Sequence, residues 1–155
     1  MLNLRRMSQV EYEGYYRASV QSLAEELSKA RGLSFQDALL AAQKSFDSLL
    51  PDGSPNANDQ YLYTILNDEE KIGVLWFGIK RDRSDPEAYV WDLVIEPSNR
   101  GRGYGKLVML LLEEEVKRLG LSRISLNVFE HNPKARRLYE KLDYKTISRV
   151  MSKEI

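Results

Sequence analysis

Apolar side chains recur at helical spacing through the first fifty residues, and from Gln60 the period shortens to that of strands. Residues 2–7 open the chain as a short strand with Leu2, Leu4 and Arg6 on one face. Ser8 followed three positions on by Glu11 is a capping-box signature, and behind it Tyr12, Tyr15, Tyr16, Leu23 and Leu27 mark a helix to about Ala30. Gly32 interrupts that pattern. Ser34 with Asp37 opens a second helix, buried along Phe35, Leu39, Ala42, Phe46 and Leu49, and the cluster at 51–56 predicts a loop. Residues 60–66 and 72–79 read as a hairpin turned at Asn67-Asp68, and a third strand covers 88–95. A helix over 104–119 stops at Gly120, a strand follows at 124–129, and Asn132-Pro133 starts a last helix to about Leu142. A final strand is expected over 145–153. Hairpins first and a strand–helix–strand unit later predict an α+β or α/β fold in a single domain over 1–155.

The chemistry concentrates between residues 88 and 119, where strand, Glu96-Pro97 turn, glycine-rich loop and helix come in that order. Gly101, Gly103 and Gly105 alternate, which lets backbone amides turn toward a ligand. The helix behind them brings a positive dipole end. Arg100, Arg102 and Lys106 surround the loop, and no acid lies between Glu96 and Glu113. These features predict an anion site, with phosphate as the natural occupant; a glycine-rich turn with solvated basic residues is the plainer reading. A Walker A loop does not fit, because three residues rather than four separate Gly101 from Gly105 and Leu107 follows Lys106. A dinucleotide fingerprint fails as well, with Lys106 at the place of its third glycine.

Composition narrows the field. Twenty-three basic and twenty-three acidic residues cancel, so a general nucleic-acid or anionic-membrane partner has no electrostatic support. The chain has no cysteine and one histidine, His131, which excludes thiolate metal sites, an acyl-cysteine intermediate and a multi-histidine metal centre in a monomer. No metal is expected. The longest apolar run, residues 107–112, is far too short to span a bilayer, and a cytoplasmic protein is the expectation.

The run Arg100-Gly101-Arg102-Gly103-Tyr104-Gly105 matches the pattern Arg/Gln-x-x-Gly-x-Gly/Ala. Ahead of it stands Asp92-Leu93-Val94-Ile95-Glu96-Pro97. After it come Leu126-Asn127-Val128-Phe129 and then Asn132-Pro133-Lys134-Ala135-Arg136-Arg137-Leu138-Tyr139-Glu140-Lys141, an Asn-x-x-Ala-x-x-Leu-Tyr-Glu-Lys signature. With both signatures in register, residues 60–155 resemble the core of the GNAT acetyltransferases. The resemblance implies a mixed, mostly antiparallel sheet flanked by helices and splayed at the cofactor-binding strands, with the helices over 8–50 shaping acceptor specificity.

It also implies an acetyl-CoA donor. The pyrophosphate would lie on the amides of Arg100, Gly101, Arg102, Gly103, Tyr104, Gly105 and Lys106, and the pantetheine arm along Leu93, Val94 and Ile95. An amide of that strand would face the thioester carbonyl. Asn132 would meet the cofactor arm or cap the last helix, with Ala135 beside it, and Lys134 and Arg137 would meet the phosphates or form a solvated face. Tyr139 falls on the tyrosine that protonates the leaving thiolate, although its spacing with Ala135, Leu138 and Leu142 also suits a core aromatic. Some members carry a glutamate twelve residues before that tyrosine, where this chain has Asn127. Asp92, among apolar neighbours in its strand, is the first candidate for the general base; an exposed carboxylate on the strand's polar face is the alternative. Glu130 and His131 lie near the expected path of the cofactor arm, with a solvated loop residue the preferred reading of His131, and Tyr12, Tyr15 and Tyr16 are candidates for an acceptor pocket. Tyr61, Tyr63, Trp76 and Trp91 read mostly as core.

The expected activity is direct acetyl transfer to a primary amine, on a small molecule or a peptide, in a ternary complex. A non-catalytic acyl-CoA-binding module on the same fold is the alternative. The family usually ends in two strands joined by a loop; here the residues after Tyr144 are too few for a long connection, so that wall is expected to be open or supplied by a second subunit of a homodimer.

Overall fold

Capping residues set where the N-terminal helices begin. The computed structural model describes residues 1–155, with β1 at Leu2–Arg6, α1 at Gln9–Arg31 and α2 at Phe35–Leu49. The Glu11 amide donates to Ser8 Oγ at 3.3 Å and the Ser8 amide donates to the Glu11 carboxylate at 2.8 Å, so two helix-end amides are satisfied reciprocally. At α2 the Asp37 amide donates to Ser34 Oγ at 3.1 Å.

The sheet runs β1, β2 (Gln60–Asn67), β3 (Glu70–Lys80), β4 (Glu87–Ile95) and β5 (Ile124–Leu126) in chain order, antiparallel except where β5 joins β4. The helix α3 (Tyr104–Arg118) is the crossover that permits that parallel pair. A short 3-10 turn at Pro97–Asn99 precedes it, and α4 (Pro133–Lys141) follows β5. One face of the sheet packs Ile65, Leu75, Phe77, Ala88 and Val90 against Val108, Met109, Leu112 and Val116 of α3. The other packs Leu62, Val74 and Trp76 against Tyr12 of α1 and Leu50 at the end of α2. This is the mixed, mostly antiparallel fold expected.

The splay is present too. β4 pairs with β5 only at Ala88, Tyr89 and Val90, while on its other side β3 accompanies it through Ile95. From Trp91 onward the side of β4 facing away from β3 has no strand partner.

Two sequence expectations fail near the C-terminus. The strand expected over 124–129 stops at Leu126, and the one expected over 145–153 does not form. Residues 145–155 are exposed throughout, with Ile147 at 79% and Val150 at 97%. Strand-forming composition stabilises a strand only where cross-strand neighbours and a buried face are available, and β5 offers an edge of three residues.

Candidate active site

Of the four α-helices, α3 alone begins without a side-chain cap; Ser8, Ser34 and Asn132 cap the others. The amides of residues 101–106 have no backbone acceptor, and Leu107 makes the first bond of the helix, to the Gly103 carbonyl. Gly101 and Gly103 hold φ of 74° and 80°, a conformation that L side chains resist and that turns successive amides to one side. At Gly105 the constraint is clearance: a Cβ there would stand 3.2 Å from Leu138 of α4. Arg100 Nε donates to the Ile95 carbonyl at 2.9 Å, tying the loop to the end of β4. Arg102 and Lys106 are exposed and engaged in no ion pair. Free amides, a helix dipole and unpaired cations together make an anion cradle.

The strand that leads into the cradle, β4, carries a bulge. Phe77 faces Val90 and Trp76 faces Asp92, which leaves Trp91 as the extra residue. Ala88 and Val90 point to the α3 face, and beyond the bulge so do Leu93 and Ile95. Trp91 packs on the α1 face with Trp76. The change of parity sends Asp92 to that same face, where Tyr15 of α1 donates its hydroxyl to Asp92 Oδ2 at 2.6 Å. Burial raises the Asp92 pKa, and the Tyr15 hydroxyl and Leu93 amide offset part of the rise. Burial, and then the charge of Asp92, push the Tyr15 phenol far above its usual range. Tyr139, on α4, is half-buried against the core of the α3 face, with its ring 5.7 Å from that of Tyr144. Burial raises its pKa first and the Asp92 charge second, so the phenol keeps its proton at neutral pH. Its hydroxyl donates to no protein group, unlike those of Tyr15, Tyr16 and Tyr63.

Residues 20–144 match the Acetyltransferase (GNAT) family. The chain belongs to the GNAT family. It is 31% identical over 152 residues to the uncharacterized N-acetyltransferase YycN of Bacillus subtilis, covering 98% of this chain and 97% of that protein. A second Bacillus subtilis protein, the uncharacterized N-acetyltransferase YdgE, is 28% identical over 153 residues, with the same coverage of 98% and 97%. The crystal structure of YycN superposes with a TM-score of 0.88 over 100% of this chain and 99% of its own. This chain is thus an N-acetyltransferase by family, and its splayed sheet is the GNAT architecture.

The remaining residues that the GNAT signatures point to lie on β4, just beyond β5 and on α4. Leu93, Val94 and Ile95 form the part of β4 without a β5 partner. Asn132 accepts the Ala135 amide at 3.2 Å and so caps α4. Lys134 and Arg137 are exposed on that helix, whereas Arg136 between them is held by Glu130 at 3.1 Å and Glu140 at 3.6 Å. His131 is exposed and stacks on Phe129, with ring centroids 5.3 Å apart. Asn127 is exposed beyond the end of β5.

The three tyrosines grouped as acceptor candidates part company. Tyr12 is buried in the core, Tyr16 donates to Asp47 at 3.0 Å, and only Tyr15 meets Asp92. Tyr63 and Trp76 are core, as read from the sequence. The partnership of Tyr15 with Asp92 was invisible in the sequence because 77 residues separate the two. No group of three or more His, Asp or Glu residues is placed to hold a metal ion, and no helix is long and apolar enough to cross a membrane.

Proposed function

We propose that this protein transfers an acetyl group from acetyl-CoA directly to a primary amine. One observation carries the reading: Asp92, the strandless side of β4 and the uncapped start of α3 follow one another along a single opening in the sheet. A phosphate-bearing thioester donor fits that succession. The cradle at residues 101–106 offers amides without acceptors, and Arg102 and Lys106 offer unpaired charge. When bound, the donor supplies an acyl carbon open to attack and a sulfur that departs as thiolate.

The chain's own groups do the rest. Leu93, Val94 and Ile95 present main-chain groups to the donor's arm, as a sheet edge does to an added strand. An amide of this segment stabilises the negative charge that develops on the attacked carbonyl. Asp92 accepts the proton that the amine loses as its C–N bond forms, with its pKa raised toward a useful range by burial. Tyr139 donates its proton to the sulfur as the C–S bond breaks. One proton then passes from Asp92 to Tyr139, through solvent, before the next turnover. Since residues 145–155 add no strand beyond β5, the acceptor side stays open to a small-molecule amine, a peptide amine or a second copy of the chain. We take the protein to be cytoplasmic and to work without metal, nucleic acid or membrane.

Thermal unfolding with and without acetyl-CoA tests the donor site, with ATP as a phosphate control. At a hundred times the dissociation constant binding adds about 2.7 kcal/mol. At some 2–4 °C per kcal/mol, that raises the midpoint by about 5–10 °C. Amines are then screened by thiol release, since the chain has no cysteine to raise the background. No shift with acetyl-CoA in folded protein overturns the donor assignment. A shift without thiol release, indifferent to Tyr139→Phe, returns the protein to an acyl-CoA-binding module.

A further inference from the structure

We infer that Tyr15 is the positioning residue of the reaction: its hydroxyl orients the Asp92 carboxylate toward the acceptor amine and keeps it ionised. The inference rests on the reading of Asp92 as general base, and it assigns part of the catalytic apparatus to α1. Three observations carry it. The bulge at Trp91 turns Asp92 out of the α3 face, where Val90 and Leu93 lie, and toward α1. There the Tyr15 hydroxyl meets Oδ2 at 2.6 Å, a short bond of the charge-assisted kind. Tyr15 is the sole side chain hydrogen-bonded to Asp92, and the Leu93 amide is the other donor to the carboxylate.

The charged and titratable surroundings are few. Tyr15 faces Asp92 from α1, with Tyr12 on the same helix close enough to influence Tyr15. Tyr139 faces it from α4. Trp76, opposite on β3, carries no charge, and no lysine or arginine forms an ion pair with the carboxylate. With no cation nearby, the Tyr15 phenol is the one side-chain donor that opposes the burial of the charged form, beside the Leu93 amide. A carboxylate buried without it would hold its proton to higher pH and rotate freely about its Cβ–Cγ bond.

Tyr15→Phe removes the donor and keeps the ring. The acid limb of kcat/KM against pH is expected to move upward by about one to two pH units, the size of a hydrogen bond to a charged group. The acetyl-CoA dissociation constant stays within about twofold, since the phosphate cradle is elsewhere. Tyr15→Gln restores a donor and brings the limb part of the way back. A carbon-13 titration of the Asp92 carboxyl in the free protein, assigned by its loss in Asp92→Asn, reads the same shift without turnover. An unmoved limb and an unmoved carboxyl titration in folded Tyr15→Phe overturn the inference. Asp92→Asn separates the two claims. If it leaves the acid limb unchanged, the base assignment fails; if it abolishes the limb while Tyr15→Phe does nothing, the base stands and the role of Tyr15 falls.

Discussion

Replacing Gly103 tests the anion cradle where its geometry is most demanding. The residue sits at the head of α3 with φ 80° and ψ 5°, and nothing lies within 4 Å of the place a Cβ would occupy. Any cost in the free protein is therefore backbone strain rather than collision. An L residue held in the left-handed region costs about 1–2 kcal/mol. A chain that tolerates that strain loses about 2–8 °C of unfolding midpoint, at some 2–4 °C per kcal/mol. A chain that relaxes φ to negative values keeps its stability and turns its amides away from the ligand. Losing two bonds to a charged phosphate, at about 1.5–3 kcal/mol each, weakens acetyl-CoA binding by about 10²- to 10⁴-fold.

The substitutions should therefore rank by tolerance of that conformation, Gly103→Asn mildest, Gly103→Ala intermediate and Gly103→Val worst. Calorimetric titration with acetyl-CoA, beside unfolding midpoints of the free variants, separates strain from lost contacts. Wild-type affinity in folded Gly103→Val refutes the cradle. Asn as damaging as Val refutes the conformational argument and makes clearance toward the ligand the reason for glycine.

Tyr139→Phe should lower turnover by about 10²- to 10⁴-fold, the usual contribution of a general acid, with acetyl-CoA affinity unchanged; unaltered turnover in a thiol-release assay makes Tyr139 a core aromatic. Glu11 supplies a pH dependence of stability. Burial pushes its pKa up, but the Ser8 amide and the Arg5 guanidinium outweigh that and hold it at about 2, against an ordinary 4.5. Its stabilising contribution is thus complete above pH 4.5 and lost as pH falls toward 2. Urea midpoints across that range should fall less steeply for Glu11→Gln, and parallel slopes would remove the capping box from the acid response. Deleting residues 146–155 should move the midpoint by no more than about 2 °C, since an exposed segment contributes about 0.5 kcal/mol or less. A larger loss would mean that the segment packs in solution, and size-exclusion chromatography would tell whether against a second copy.

Much of the candidate site's local geometry was legible because its signals are local. The alternating glycines and the proline–glycine punctuation between Glu96 and Gly105 need only their neighbours to turn amides outward, and the structure has that loop where it was read. Ser8 with Glu11, Ser34 with Asp37 and Asn132 with Pro133 mark helix starts for the same reason: a cap reaches three residues and no further. The segment 145–153 misled because its β-branched residues state a preference that only a partner strand can satisfy. Asn132 caps α4, a role compatible with the one expected of it at the cofactor arm.

The sequence by itself determined the order of elements through α4, the glycine-rich loop and the two GNAT signatures, all encoded over spans of a few residues. Tertiary structure alone decided which way Asp92 points. Alternation along β4 would have placed it with Val90 on the α3 face; the register slip opposite Trp76 and Phe77 moved it to the α1 face. That slip depends on how β4 packs against β3. It also decided that one tyrosine of three on α1 would find the carboxylate, across 77 residues of chain. The physical reason is range: caps and turns are satisfied within a few residues, whereas a carboxylate's partner is whatever the packed sheet brings within hydrogen-bond distance.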